Sequence, residues 1–167
     1  MSTATLALRP IRPEDGSFLY AVYASTRLEE LAPLGWSAEQ QAAFLTQQFN
    51  AQHQYYQANF SDAKFQVILL AGQQVGRLYV ARQPDQILLI DIALLPEYRN
   101  AGIGSRLLND ILDEAATTGK PVRIHVEKFN PALRLYERLG FSIIEDQGVY
   151  WFMEWKPQEV KSAVPRT

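Results

Sequence analysis

The sequence predicts a mixed α/β (α+β) sheet with helices on both sides, in a single domain. Three observations predict it. Residues 65–95 carry three strand-like runs separated by short turns. Residues 103–115 carry a clear amphipathic helix pattern, and strand and helix patterns then alternate to residue 155. With 167 residues, 47% apolar and 20% charged, the chain has enough apolar side chains to bury one core.

Leu6 and Leu8 alternate with Ala7 and Arg9 ahead of Pro10, which predicts a short first strand. Asp15 opens a helix whose Phe18, Leu19, Val22 and Tyr23 share one side. Pro33 and Gly35 interrupt residues 27–36, predicting a turn between two helices. Ser37 with Gln40 three positions on is a capping-box pair, and Ala42, Leu45, Phe49 and Tyr56 recur down a long Gln-rich helix. Tyr55, Tyr56 and Phe60 read as core or interface residues more readily than as a cofactor box.

Strand patterns at 65–70 and 75–80 flank Ala71-Gly72 as an antiparallel hairpin. Beyond Pro84-Asp85, residues 87–95 are almost wholly apolar, as in a central strand covered on both faces. Ile103, Leu107, Leu108, Ile111, Leu112 and Ala115 form the stripe of the next helix, which Gly119 and Pro121 stop. A strand at 122–126 follows, then a short helix over 131–139 closed by Gly140, then strands at 141–144 and 150–155 around Gly148. The organised core therefore covers about residues 5–155 of a single 1–167 domain, and the prolines and mixed charge of 156–167 predict a loose tail.

Sixteen basic residues against eighteen acidic ones give a net charge of −2, without the basic stripe of a nucleic-acid binder. The absence of cysteine excludes disulfides, thiol catalysis and thiolate metal sites. His53 and His125 sit in no ligand-like cluster, so no metal is expected. The first residues lack a signal-peptide pattern, and no run approaches the ~20 apolar residues of a membrane span. A cytoplasmic location without membrane or nucleic-acid partners is expected.

The turn Arg99-Asn100-Ala101-Gly102-Ile103-Gly104 joins a buried strand to the amphipathic helix. An anion there would meet backbone N–H groups that lack intrahelical partners, at the positive end of the helix dipole. Gly102 and Gly104 open the backbone to close approach, Arg99 adds a cation and Ser105 a hydroxyl. The spacing matches neither the dinucleotide nor the Walker pattern. By itself the turn suits an anion site and an ordinary strand-to-helix connection equally.

Leu94-Leu95-Pro96-Glu97-Tyr98 leading into this turn, followed by Ser105-Arg106-Leu107-Leu108, resembles the acetyl-CoA pyrophosphate motif of the GCN5-related N-acetyltransferases. A second block, Asn130-Pro131-Ala132-Leu133-Arg134-Leu135-Tyr136-Glu137-Arg138-Leu139-Gly140-Phe141, resembles the later motif of that family. The resemblance implies a mixed, mostly antiparallel, splayed sheet flanked by helices, with acetyl-CoA as acyl donor. It implies that backbone at Ala93, Leu94 and Leu95 pairs with the pantetheine arm, that residues 99–104 cradle the pyrophosphate, and that Asn130 lies near the cofactor arm. Asn100 stands where glycine, arginine or lysine is common in the family, a departure of little weight for a cradle built from main-chain donors.

Direct acyl transfer to an amine needs a proton route, oxyanion stabilisation and protonation of the departing thiolate. Tyr136 matches the family's general-acid tyrosine, and its ring also suits packing beside Leu135, Leu139 and Phe141. Asp91 is the sole charge in the run 87–95, so it needs a hydrogen-bond partner, water or a substrate cation. Orienting an ammonium and anchoring to a neighbouring strand both satisfy that need. Glu127 lies where the later strand should open and is a third catalytic candidate, with His125 a weaker one on the same strand. By resemblance, Arg27, Glu29 and Glu30 lie where the acceptor pocket is often shaped. The function expected is acetyl transfer from acetyl-CoA to a primary amine of a small molecule, peptide or protein. The alternative is a noncatalytic acyl-CoA-binding or protein-interaction module. A homodimer is in keeping with the family, and the aromatic strand at 150–155 suits a dimer face or a monomer core equally.

Overall fold

The computed structural model describes residues 5–158. The expected loose tail from residue 159 on lies outside the described residues. The elements are β1 (Leu6–Pro10), α1 (Gly16–Ser25), α2 (Leu28–Leu31), α3 (Ala38–Asn59), β2 (Lys64–Leu70), β3 (Gln73–Arg82) and β4 (Ile87–Leu94). They continue with α4 (Ile103–Thr118), β5 (Val122–Glu127), α5 (Leu133–Leu139), β6 (Ser142–Gln147) and β7 (Tyr150–Trp155). Short 3-10 turns occupy Pro13–Asp15, Ala32–Leu34 and Pro96–Tyr98. The result is the expected mixed, mostly antiparallel sheet flanked by helices, with β4 and β5 its parallel pair. The chain divides into two compact units: one runs to Ala81 and adds Ile90–Gly104, and the other holds Arg82–Leu89 and continues from Ser105.

In the first unit the strand order is β1-β2-β3-β4. β1 pairs antiparallel with β2, Leu8 opposite Ile68, and Pro10 ends this edge strand where no ladder donor is needed. The β2–β3 hairpin turns through Ala71 and Gly72 at φ 51° and 82°, the pair of positive values that matches strand twist. Leu19, Val22 and Tyr23 are the buried face of α1. Tyr23, Leu31 and Leu45 form a small core with Tyr20, Trp36 and Phe49 against it. The Ser37 capping box closes as the sequence predicts: its hydroxyl accepts from the Gln40 N–H at 3.1 Å and its own N–H donates to Gln40 Oε1 at 2.9 Å. The segment expected to be a plain turn holds α2 and a 3-10 turn, ended by Gly35 at φ 68°.

Asp15 does not cap α1 with its side chain. Its carboxylate instead accepts both guanidinium nitrogens of Arg9 (2.8 and 2.9 Å), the Arg12 N–H (2.7 Å) and Gln74 Nε2 (2.9 Å), tying β1, the start of α1 and β3 together. These donors, the Arg9 guanidinium foremost, hold the buried carboxyl down at about 2.

In the second unit the order is β4-β5-β7-β6. The parallel β4–β5 ladder covers Ile87–Leu89 against Val122–Ile124 only. All six apolar stripe residues of α4 are buried, as its periodicity predicts. β7 pairs antiparallel with both β5 and β6, and Met153 on it is fully buried. Arg123 donates to Glu154 at 2.9 Å and to Gln86 at 2.7 Å, compensating the buried Glu154.

One strand departs from expectation. β4 is buried only over Ile87–Leu89 and half-buried from Ile90 to Leu94, where the β5 ladder has ended. The strand buried along nearly its whole length is β3, from Val75 to Ala81, and it carries a charge, Arg77, at 3% exposure.

Candidate functional site

After β4 the chain passes through the 3-10 turn and then residues 99–102. Asn100 and Gly102 both take left-handed backbone, at φ 60° and 83°. Asparagine tolerates that region because its short polar side chain bonds locally, which accounts for the residue at this position. Gly104 differs. It lies in the first turn of α4 with right-handed backbone, and a Cβ there would meet no heavy atom within 4 Å. The protein's own packing has no need of glycine at 104, although glycine costs a helix roughly 0.5–1 kcal/mol relative to alanine. The unfilled space adjoins the orphan N–H groups of the first helical turn, where a phosphate is favoured.

Arg99 does not project from this turn. Its Nε donates to the Leu94 carbonyl at 3.0 Å and its Nη2 to Ser25 Oγ at 3.2 Å. The Leu95 N–H donates to the Val75 carbonyl at 2.9 Å, and the Ala93 carbonyl faces Gly76 so closely that a Cβ on Gly76 would overlap it. Since trans peptides point C=O and N–H in opposite directions, the Leu94 N–H and C=O both face the other edge of β4. Of residues 93–95, Leu94 therefore presents its main-chain groups away from β3.

The acceptor candidates of the first unit gather around Tyr23. Arg27 lies with its guanidinium carbon 5.4 Å from the Tyr23 ring centroid and pairs with Glu30 at 3.3 Å, while Glu29 is exposed on α2. Arg77 approaches the same ring at 6.0 Å and Tyr79 at 5.1 Å. Its Nη2 lies 2.5 Å from Asp91 Oδ2 and donates to Gln52 Oε1 at 2.9 Å. Burial alone would push the Arg77 guanidinium down, but Asp91, Tyr79 and Tyr56 together raise it. Arg77 thus stays charged, and Asp91 is bound to it. Burial pushes the Tyr79 phenol up, and its hydroxyl and Arg77 Nε have no well-formed hydrogen bond among the described residues.

Sequence reasoning passed over Arg77. The signal was available, since Arg77 is the only charge in the strand-like run 75–80, the same test that singled out Asp91.

The remaining candidates belong to the second unit. Tyr136 is 2% exposed, with its ring edge-on to Phe141 at 5.7 Å. Glu127 ends β5, half-buried and in register with Tyr150, and its carbonyl accepts the Asn130 N–H at 2.9 Å. Asn130 Oδ1 accepts the Ala132 N–H at 2.8 Å, so this side chain starts the turn into α5. His125 is exposed, stacked on Phe152 at 4.5 Å, with Nδ1 2.8 Å from Gln147 Oε1. Among the described residues no group of His, Cys, Asp or Glu side chains could hold a metal ion, and no helix is long and apolar enough to cross a membrane.

A family model described as an acetyltransferase (GNAT) domain matches residues 61–143. The ribosomal protein bS18-alanine N-acetyltransferase of Haemophilus influenzae is 31% identical over 68 residues, which is 40% of this chain and 47% of that protein. The chain thus matches about half the length of this curated relative. Among solved structures, the PaiA N-acetyltransferase of Thermoplasma acidophilum, in complex with coenzyme A, superposes with a TM-score of 0.69 at 20% identity, covering 91% of this chain and 99% of that one. The ribosomal-protein-S18-alanine N-acetyltransferase of Escherichia coli superposes with a TM-score of 0.60 at 17% identity, covering 96% and 99%. By its domain match over residues 61–143 and its likeness to these structures, the chain has the fold of the GCN5-related N-acetyltransferase superfamily.

Proposed function

We propose that the protein transfers an acetyl group from acetyl-CoA to a primary amine by direct attack, in the cytoplasm. The observation that carries this reading is Gly104, a helical glycine that the fold does not require, beside a turn of left-handed residues whose main-chain donors suit a pyrophosphate. The main chain of residues 99–104, with Ser105, would hold the donor's phosphates, and Leu94 its pantetheine arm. The neutral amine attacks the thioester carbonyl, a C–N bond forms, the C–S bond breaks, and the amine's proton passes out as the thiolate is protonated. Tyr136 is the proposed acid for that thiolate, Asp91 the residue that orients the amine, and Glu127 a proton acceptor. A protein or peptide amine suits the relatives that act on a ribosomal protein, and a small-molecule amine is the other acceptor class.

Incubation with acetyl-CoA and an amine panel should yield an acceptor heavier by one acetyl group together with free CoA, read by mass spectrometry. Absence of CoA binding under native conditions would sink the proposal. A module that binds CoA without transferring is the second reading, favoured by the near-complete burial of Tyr136. It requires CoA binding with no acetylated product across the whole panel.

A further inference from the structure

Asp91 enters the acceptor reading as the anion that meets an ammonium, yet its charge is already met within the protein. Oδ2 is buried, 2.5 Å from Arg77 Nη2, while the side chain as a whole keeps 22% of its surface. The accessible part therefore lies away from Oδ2, on the remaining side-chain atoms. Arg77 is held on three sides, by Gln52 Oε1 at 2.9 Å and by the Tyr79 and Tyr23 rings. The neighbouring charges also pair, Arg27 with Glu30. A lone carboxylate draws a dication more strongly than a monocation of equal length, whereas a neutral ion pair offers one oriented oxygen and little net field.

We propose that Arg77 is a positioning residue that sets the charge preference of the acceptor site, fitting it to a molecule with a single amine rather than to a polyamine. This rests on the amine-transfer reading above.

Butylamine and 1,4-diaminobutane, of equal length with one and two ammonium groups, are the probes. Each is titrated calorimetrically into the 167-residue chain with CoA present, and turned over with acetyl-CoA. The unmodified protein should bind butylamine at least as tightly as the diamine. Gln52→Glu sets a second carboxylate against Arg77, and Arg77→Met leaves Asp91 uncompensated. Each should move the diamine-to-monoamine affinity ratio about tenfold toward the diamine, in KM rather than kcat. Arg77→Lys keeps the charge and should keep the original ratio. Gln52→Glu preserves the test if Arg77→Met does not fold.

An unmodified protein that prefers the diamine tenfold, or a ratio unmoved in both charge variants, overturns the proposal. Amines that bind with the expected shift but are never acetylated sink the transfer reading and leave the positioning role standing. No binding of either amine by any variant overturns both.

Discussion

Gly104→Ala separates the two things a glycine does in the first turn of α4. Its backbone is right-handed and a Cβ would touch nothing within 4 Å, so alanine adds no clash. Alanine also restricts the unfolded chain and favours the helix. The gain is about 0.5 kcal/mol, at the low end of the glycine-to-alanine range because the position lies in the first helical turn. In a chain of this size that raises Tm by roughly 1–2 °C. If the same space receives a phosphate oxygen, the added methyl group obstructs it, and CoA affinity should fall about tenfold, or ~1.4 kcal/mol. Stability and affinity therefore move in opposite directions. Scanning calorimetry of the ligand-free protein gives the first and titration calorimetry with CoA the second. A raised Tm with unchanged CoA affinity would refute the cradle, and a lowered Tm would refute the open space. Gly102→Ala is the control: at φ 83° its side chain is strained by about 1 kcal/mol, so Tm should fall.

Asp15 gives a pH test. Its carboxyl drops from 3.8 unfolded to about 2 folded, so it contributes about 2 kcal/mol that is present above pH ~4 and lost as pH falls through about 2. Tm measured from pH 2 to 5 should converge for Asp15→Asn and the unmodified protein at the acid end, and parallel curves would contradict the assignment. Gly76→Ala drives a Cβ into the Ala93 carbonyl and should cost roughly 1–3 kcal/mol as overpacking, with weakened CoA binding as β4 shifts. Equal urea midpoints for the two proteins would count against that close approach. Tyr136→Phe should lower kcat about a hundredfold under chemistry-limited conditions with CoA affinity unchanged. Unchanged turnover would remove the acid role while leaving transfer intact.

What the sequence revealed follows from how local each signal is. The α4 stripe, the Ser37–Gln40 box and the Ala71-Gly72 hairpin are encoded within a few residues, and each forms as read. α2 was invisible because four residues cannot establish a helical period. The half-exposure of Ile90–Leu94 depends on where the β5 ladder ends, which no residue of β4 encodes. The site divides in the same way. Residues 99–104 announce a turn by their own composition, whereas the partner of Asp91 lies fourteen positions upstream on another strand, and only pairing across strands brings Arg77 to it. Arg99, read as a cation for phosphate, instead bonds a carbonyl five residues back and a serine on α1, contacts that local pattern cannot foretell.

The position of β7 between β5 and β6 places a condition on synthesis. A ribosome delivers β5 and β6 first, and β6 has no native ladder partner until β7 emerges. Meanwhile β5 has only the three-residue match to β4. In that interval two strand edges are exposed together, and β6 has all six of its residues exposed in the folded state, Ile143 and Ile144 among them. The acidic Glu145 and Asp146, and the irregular pairing between Ile143 and Glu145, work against premature edge-to-edge pairing. Nascent chains stalled before residue 150 should thus be the form of this protein most exposed to aggregation and most dependent on chaperones.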